Sequence, residues 1–181
     1  MTIILIILSI IGGLIALFFL IALFVKKEYA LFSSIPINKP KQEVFDYIRF
    51  LKNQDHFSKW VMTDPNMKKD FKGTDGAPGF VYAWDSENKQ AGKGEQEIMN
   101  IIDGERMDVE IRFIRPFEGI SKAPFTTKAL SADQTEVTWG MIGKSKYPMN
   151  IMNLFIMGIL EKDLKESLNN LKVILEKEAG R

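Results

Sequence analysis

The one histidine of the sequence, His56, stands two residues before Ser58, and this pair invites a nucleophile-and-base reading. Side chains two apart on a helix do not face each other. No G-x-S-x-G elbow or oxyanion-hole motif accompanies them, so His56 is expected to be an ordinary surface or capping residue. Glu95 and Glu97 share one face of an expected strand, as do Asp108 and Glu110. Paired carboxylates can serve as acid and base. Here they alternate with apolar residues, which places them on a solvated face with Arg112 opposite Glu95. Cysteine is absent, which excludes disulfides, thiolate metal sites and thiol catalysis. A lone histidine leaves the usual zinc site without ligands. Catalytic residues, metal and cofactor are therefore all expected to be none. The glycines of GTDGAPG (Gly73 to Gly79) lie between strands and open no helix, so they cradle no phosphate. A net charge of +1 gives no electrostatic reason to expect a nucleic-acid partner.

The aromatic residues and methionines say more. Trp60, Tyr82, Trp84, Phe113, Phe125, Trp139 and Met141 all map to one expected inner face. Any one of them alone is most simply core. Together they are bulky and amphipathic, which suits a wall round an apolar ligand. Gln96, Asn100 and Thr127 are the few polar groups expected on that wall, able to hold a ligand's polar end or a buried water. Phe155 completes the candidate binding set.

These residues need elements to position them, and the longest lies last, from Pro148 to about Glu178. Ile156, Leu160, Leu164, Leu168, Leu171 and Leu175 recur at steps of four, four, four, three and four, one face of an α-helix. A helix of roughly 30 residues is ~45 Å long and must lie across a large apolar surface. Its first part, NIMNLFIMGIL (Asn150 to Leu160), is apolar nearly all round. A helix apolar on every side is buried on every side. That part is expected either to be covered by the early helices or to form a cavity mouth at a membrane.

The membrane expectation comes from the other end of the chain. Thr2 to Val25 carries no charge and has the length of a bilayer span. It lacks the basic n-region and small-x-small site of a cleaved signal peptide, so a retained, single-pass anchor is expected over residues 1–27. Lys26 and Lys27 follow at once, which places the remainder, 28–181, in the cytoplasm by the positive-inside tendency. Ser9/Gly13 and Gly12/Ala16 are small-xxx-small pairs that allow a homodimer through this helix, although small residues are common in membrane helices in any case.

Between the two ends the period changes to two. Glu28 to Ile37 reads as a strand. Two short helices follow, with Val44, Phe45, Ile48 and Leu51 on the first and Phe57, Trp60 and Val61 on the second. Then come six strands: Lys69 to Lys72, Phe80 to Trp84, Gly94 to Ile102, Arg106 to Ile114, Gly119 to Leu130 (interrupted by Pro124) and Thr135 to Ile142. Asp103-Gly104 predicts a two-residue hairpin, with Ile98 facing Val109 and Asn100 facing Met107.

The chain resembles the START-like (SRPBCC) superfamily in its polyketide cyclase/dehydrase and lipid-transport branch. The resemblance rests on the element order and on HFSKW (Phe57, Trp60), GFVYAWDS (Gly79 to Ser86), the Gly92/Gly94 pair, IRFIRP (Ile111 to Pro116), TEVTWGMIG (Thr135 to Gly143) and LEKDLKESLNNLKVILE (Leu160 to Glu176). It covers about Glu28 to Glu178. It implies an α+β helix-grip fold, a curved seven-stranded antiparallel sheet wrapped around the C-terminal helix, with an apolar cavity between them. It also implies a hydrophobic ligand such as a lipid, sterol or polyketide. The expectation is membrane-anchored binding of such a molecule. The alternatives are a cyclase/dehydratase-type enzyme on an apolar substrate, or a scaffold whose cavity is filled by its own side chains.

Overall fold

The computed structural model describes residues 2–177; the expected end of the last helix at Glu178 and of the domain at Arg181 lie outside the described residues. Helix α1 (Thr2–Phe24) leads directly into strand β1 (Glu28–Ile37). Helix α2 (Lys41–Ile48) buries Val44, Phe45 and Ile48, and a 3-10 turn (Leu51–Asn53) buries Leu51. The expected second helix is two short pieces, α3 (Gln54–Phe57) and α4 (Lys59–Met62), because Ser58 between them is extended. The strands that follow are β2 (Lys68–Lys72), β3 (Val81–Asp85), β4 (Lys93–Ile102), β5 (Arg106–Arg115), β6 (Gly119–Lys122), β7 (Phe125–Ser131) and β8 (Gln134–Lys144). A 3-10 turn (Met149–Met152) then opens helix α5 (Asn153–Lys177).

The architecture is α+β, a helix-grip fold with an eight-stranded antiparallel sheet. The order is β1-β8-β6-β5-β4-β3-β2, with β7 pairing β5 and β8. The eighth strand arises where Pro124 interrupts the expected Gly119 to Leu130 stretch. Pro124 has no N–H to give to a ladder, and Ala123 and Pro124 divide that stretch into β6 and β7. The hairpin also differs from expectation. Ile102 pairs with Arg106, so the loop is Asp103, Gly104 and Glu105, with Gly104 at φ +67°. The extra loop residue slides the register by one, and a bulge at Met99 slides it back. Ile98 therefore does face Val109, as expected, while Asn100 faces Asp108 rather than Met107.

Strand ends define two ends of the sheet. Lys144, Glu28, Gly119, Arg115, Lys93 and Asp85 are neighbours or near-neighbours along one end, which is where α1 stops and α5 starts. The far end carries the β4–β5 and β7–β8 turns. The interior differs between them. Toward the far end Leu164, Leu168, Leu171 and Leu175 of α5 pack with Ile37, Phe45, Phe57, Ile98, Met107 and Val137 in a solid core. Toward the α1 end, Ile156 and Leu160 of the same helix face open space instead.

Candidate functional site

That open space is a cavity of about 350 Å³ between the sheet and the first turns of α5. Its floor comes from inner-face positions of the strands: Tyr82 and Trp84 of β3, Gln96 of β4, Ile111 and Phe113 of β5, and Trp139 and Met141 of β8. Period-two alternation puts these on one face, and that face is the one turned toward α5. Trp60, Val61 and Ser58 supply one side, and Tyr29 of β1 supplies another. The mouth is made by Lys89, Gln90 and Ala91 between β3 and β4, and by Arg115 at the end of β5 with Pro116 and Phe117 just beyond it.

Seven of the eleven expected wall residues line this cavity: Trp60, Tyr82, Trp84, Gln96, Phe113, Trp139 and Met141. The other four sit elsewhere for separate reasons. Asn100 is exposed, turned out by the hairpin register described above. Phe125 stacks on Trp139 with ring centroids 4.5 Å apart and belongs to the packed half. Thr127 is buried, and its hydroxyl donates to the Gly104 carbonyl at 2.7 Å, bracing the hairpin. Phe155 is 68% exposed, turned about 100° round α5 from Ile156 and out of the cavity. Sequence reasoning missed Gln54, Ser58 and both mouth loops, which carry no periodic signal. Tyr29 was within reach, since it alternates in step with Leu31 and Ser33.

Polar groups in the wall are few and mostly paired. Gln96 Nε2 donates to Gln54 Oε1 at 3.0 Å, and both side chains are buried. The Trp84 indole N–H donates to the Ala91 carbonyl at 2.9 Å, tying the mouth loop to β3. Trp84 lies over Gly94, where a Cβ would overlap its ring. The Tyr29 hydroxyl and Ser121 Oγ share a hydrogen bond of 2.7 Å, and the bare Cα of Gly143 makes room for that hydroxyl. The Trp139 indole nitrogen is buried without a partner.

The ionisable group deepest in the wall is Tyr82. Burial, and then the hydrogen bond it donates to the Asp55 carboxylate at 2.7 Å, push its phenol far above the usual tyrosine range. Asp55 in turn holds Lys69 at 2.8 Å. At neutral pH Tyr82 is therefore a fixed donor to Asp55, not a group ready to exchange a proton.

Of the other sequence candidates for chemistry, Ser58 lines the cavity and the rest stand apart from it. Arg112 donates to Glu95, Glu97 and Glu110 at 2.7, 2.6 and 2.8 Å, and none of the four lines it. His56 is exposed while Ser58 is buried. Among the described residues no cluster of metal-ligating side chains forms.

No family model matches the sequence, and no curated relative matches it. Solved structures do. Norcoclaurine synthase from Thalictrum flavum, in complex with dopamine and hydroxybenzaldehyde, is similar with a TM-score of 0.64 at 9% identity, over 83% of this chain and 87% of its own. The protein TTHA0849 of Thermus thermophilus is similar at 0.61 and 12%, over 84% and 100%. The Aha1 dimer from Colwellia psychrerythraea is similar at 0.58 and 14%, over 82% and 96%. These neighbours are of the SRPBCC kind, and at such identities the likeness establishes the fold alone.

Proposed function

We propose that this chain is a membrane-anchored binding protein that holds one apolar or amphipathic small molecule, of lipid class, between its sheet and α5. The observation that carries the reading is the division of the interior. The same leucine-striped helix packs solidly at one end and leaves about 350 Å³ at the other, walled by all three tryptophans of the chain. Ligand pockets run from about 300 to 1,000 Å³ and are mostly apolar with a few placed polar groups. The Gln54–Gln96 pair inside and Lys89 and Arg115 at the mouth suit a ligand with a polar end. The enzymatic alternative requires a proton-transferring group at the wall, and Tyr82, locked to Asp55, argues against it.

The anchor is part of this proposal. Asn150 is fully buried, and its amide donates to the carbonyls of Ala22 at 2.7 Å and Val25 at 2.8 Å. These bonds give the end of α1 a specific seat on the folded domain, which favours a retained helix. Lys26 and Lys27 favour a cytoplasmic domain.

The test is native mass spectrometry of the full chain released from detergent micelles. One tightly held adduct of lipid mass is expected, and it should be lost in Leu160→Trp, which fills the cavity. No adduct on the folded chain, or an adduct unchanged in Leu160→Trp, would overturn the proposal. Conversion of the retained molecule on incubation would establish the enzyme instead.

A further inference from the structure

The contacts between α1 and the folded domain reach well inside the apolar span. The Tyr147 hydroxyl donates to the carbonyl of Phe19 at 3.3 Å, and the two rings lie 6.1 Å apart. Ile21 and Phe24 line a groove together with Tyr29, Leu154 and Met157. Ala22 is fully buried against the domain. Asn150 and Asn153 cap the carbonyls at the end of α1, with Asn153 reaching Lys26 at 3.1 Å. The domain is thus fixed to the helix end and does not hang from a free linker.

Depth along α1 then sets the depth of the domain. Phe19 lies five residues before Phe24, or ~7.5 Å along the axis. The 23 residues of α1 are ~35 Å long, about 5 Å more than a ~30 Å hydrocarbon core, an excess shared between two ends. Phe19 is therefore below the hydrocarbon boundary, and Tyr147 with it. Tyrosine suits that boundary.

The side chains exposed at this end agree. Leu154, Phe155 and Ile159 of α5 stand in solvent on one side of the mouth, and Phe117 on the other. Phe117 itself lines the cavity and is 60% exposed. Charge does not select the surface, because Glu87 and Glu118 accompany Lys89 and Arg115 in and next to the two mouth loops. Apolar contact carries the argument.

We infer that the mouth of the cavity is seated in the bilayer that holds α1. Phe117 enters on one side and Leu154, Phe155 and Ile159 on the other, so the ligand is a lipid taken from the adjoining leaflet without passing through water. This rests on the anchored reading above, and the test separates the two. The absence of cysteine permits single-cysteine variants of the full chain without other changes. Nitroxide labels at Phe117→Cys, Phe155→Cys, Ile11→Cys within α1, and Asp133→Cys in the far β7–β8 turn are examined in phosphatidylcholine vesicles. Collision rates with a water-soluble nickel chelate should be severalfold lower at 117, 155 and 11 than at 133. Labels at 117 and 155 as accessible as at 133, with 11 still shielded, would overturn the seated mouth and leave the anchor standing. Accessibility at 11 would overturn the anchor, and this inference with it.

Discussion

Replacing Gln96 with leucine is expected to lower the melting temperature of the full chain in detergent by about 2–12 °C. Gln96 gives its amide hydrogen to Gln54 at 3.0 Å, and the two side chains are only 6% and 4% exposed. Leucine is close to glutamine in volume, so packing is retained, but the Gln54 oxygen loses its donor. A buried polar group left without a partner costs ~1–3 kcal/mol. In a chain of this size each kcal/mol moves the midpoint by ~2–4 °C, which sets the range. Gln54→Leu should cost a similar amount by the reverse argument. The double variant replaces both amides with apolar groups and should regain most of the loss, a coupling of ~1–3 kcal/mol in a double-mutant cycle. Tryptophan fluorescence is the natural assay, since all three tryptophans line the same cavity. If the two single losses simply add in the double variant, each amide is satisfied independently and the pair is not a unit of the wall.

Two further outcomes follow from named bonds. The Tyr82 phenol ionises far more reluctantly in the folded chain than in the unfolded one, where its pKa is ~10. Above about pH 10 the unfolded state loses a proton that the folded state keeps, so stability falls by up to ~1.4 kcal/mol per pH unit; melting curves from pH 9 upward should show a shallower decline in Tyr82→Phe, and identical slopes would refute this account. Asn150→Leu leaves the Ala22 and Val25 carbonyls without their donor, so tryptic cleavage after Lys26 and Lys27 should quicken severalfold while the melting of the sheet changes little; unchanged cleavage would show that Asn150 does not hold that junction.

Residue pattern alone determined the elements and their faces. The leucine spacing of α5 and the alternation of Val137, Trp139 and Met141 are local periodicities, and each was borne out as helix or strand because burial of one face enforces them; the charge-free run before Lys26 was legible as a helix from its length and apolar composition alone. Glu95 opposite Arg112 was legible for the same reason. Tertiary structure alone decided where the interior is hollow. Phe125 and Trp139 both face inward and stack on each other in the core, yet only Trp139 also borders the cavity, a difference that period-two patterning does not carry. Asn100 was lost to a loop one residue longer than the Asp-Gly signal suggested and a bulge that restored the register past it, two compensating slips that leave no trace in period-two patterning. The pairing of Gln96 with Gln54, 42 positions apart, and of Asn150 with the end of α1 depends on chain segments meeting in space, which no local spacing encodes.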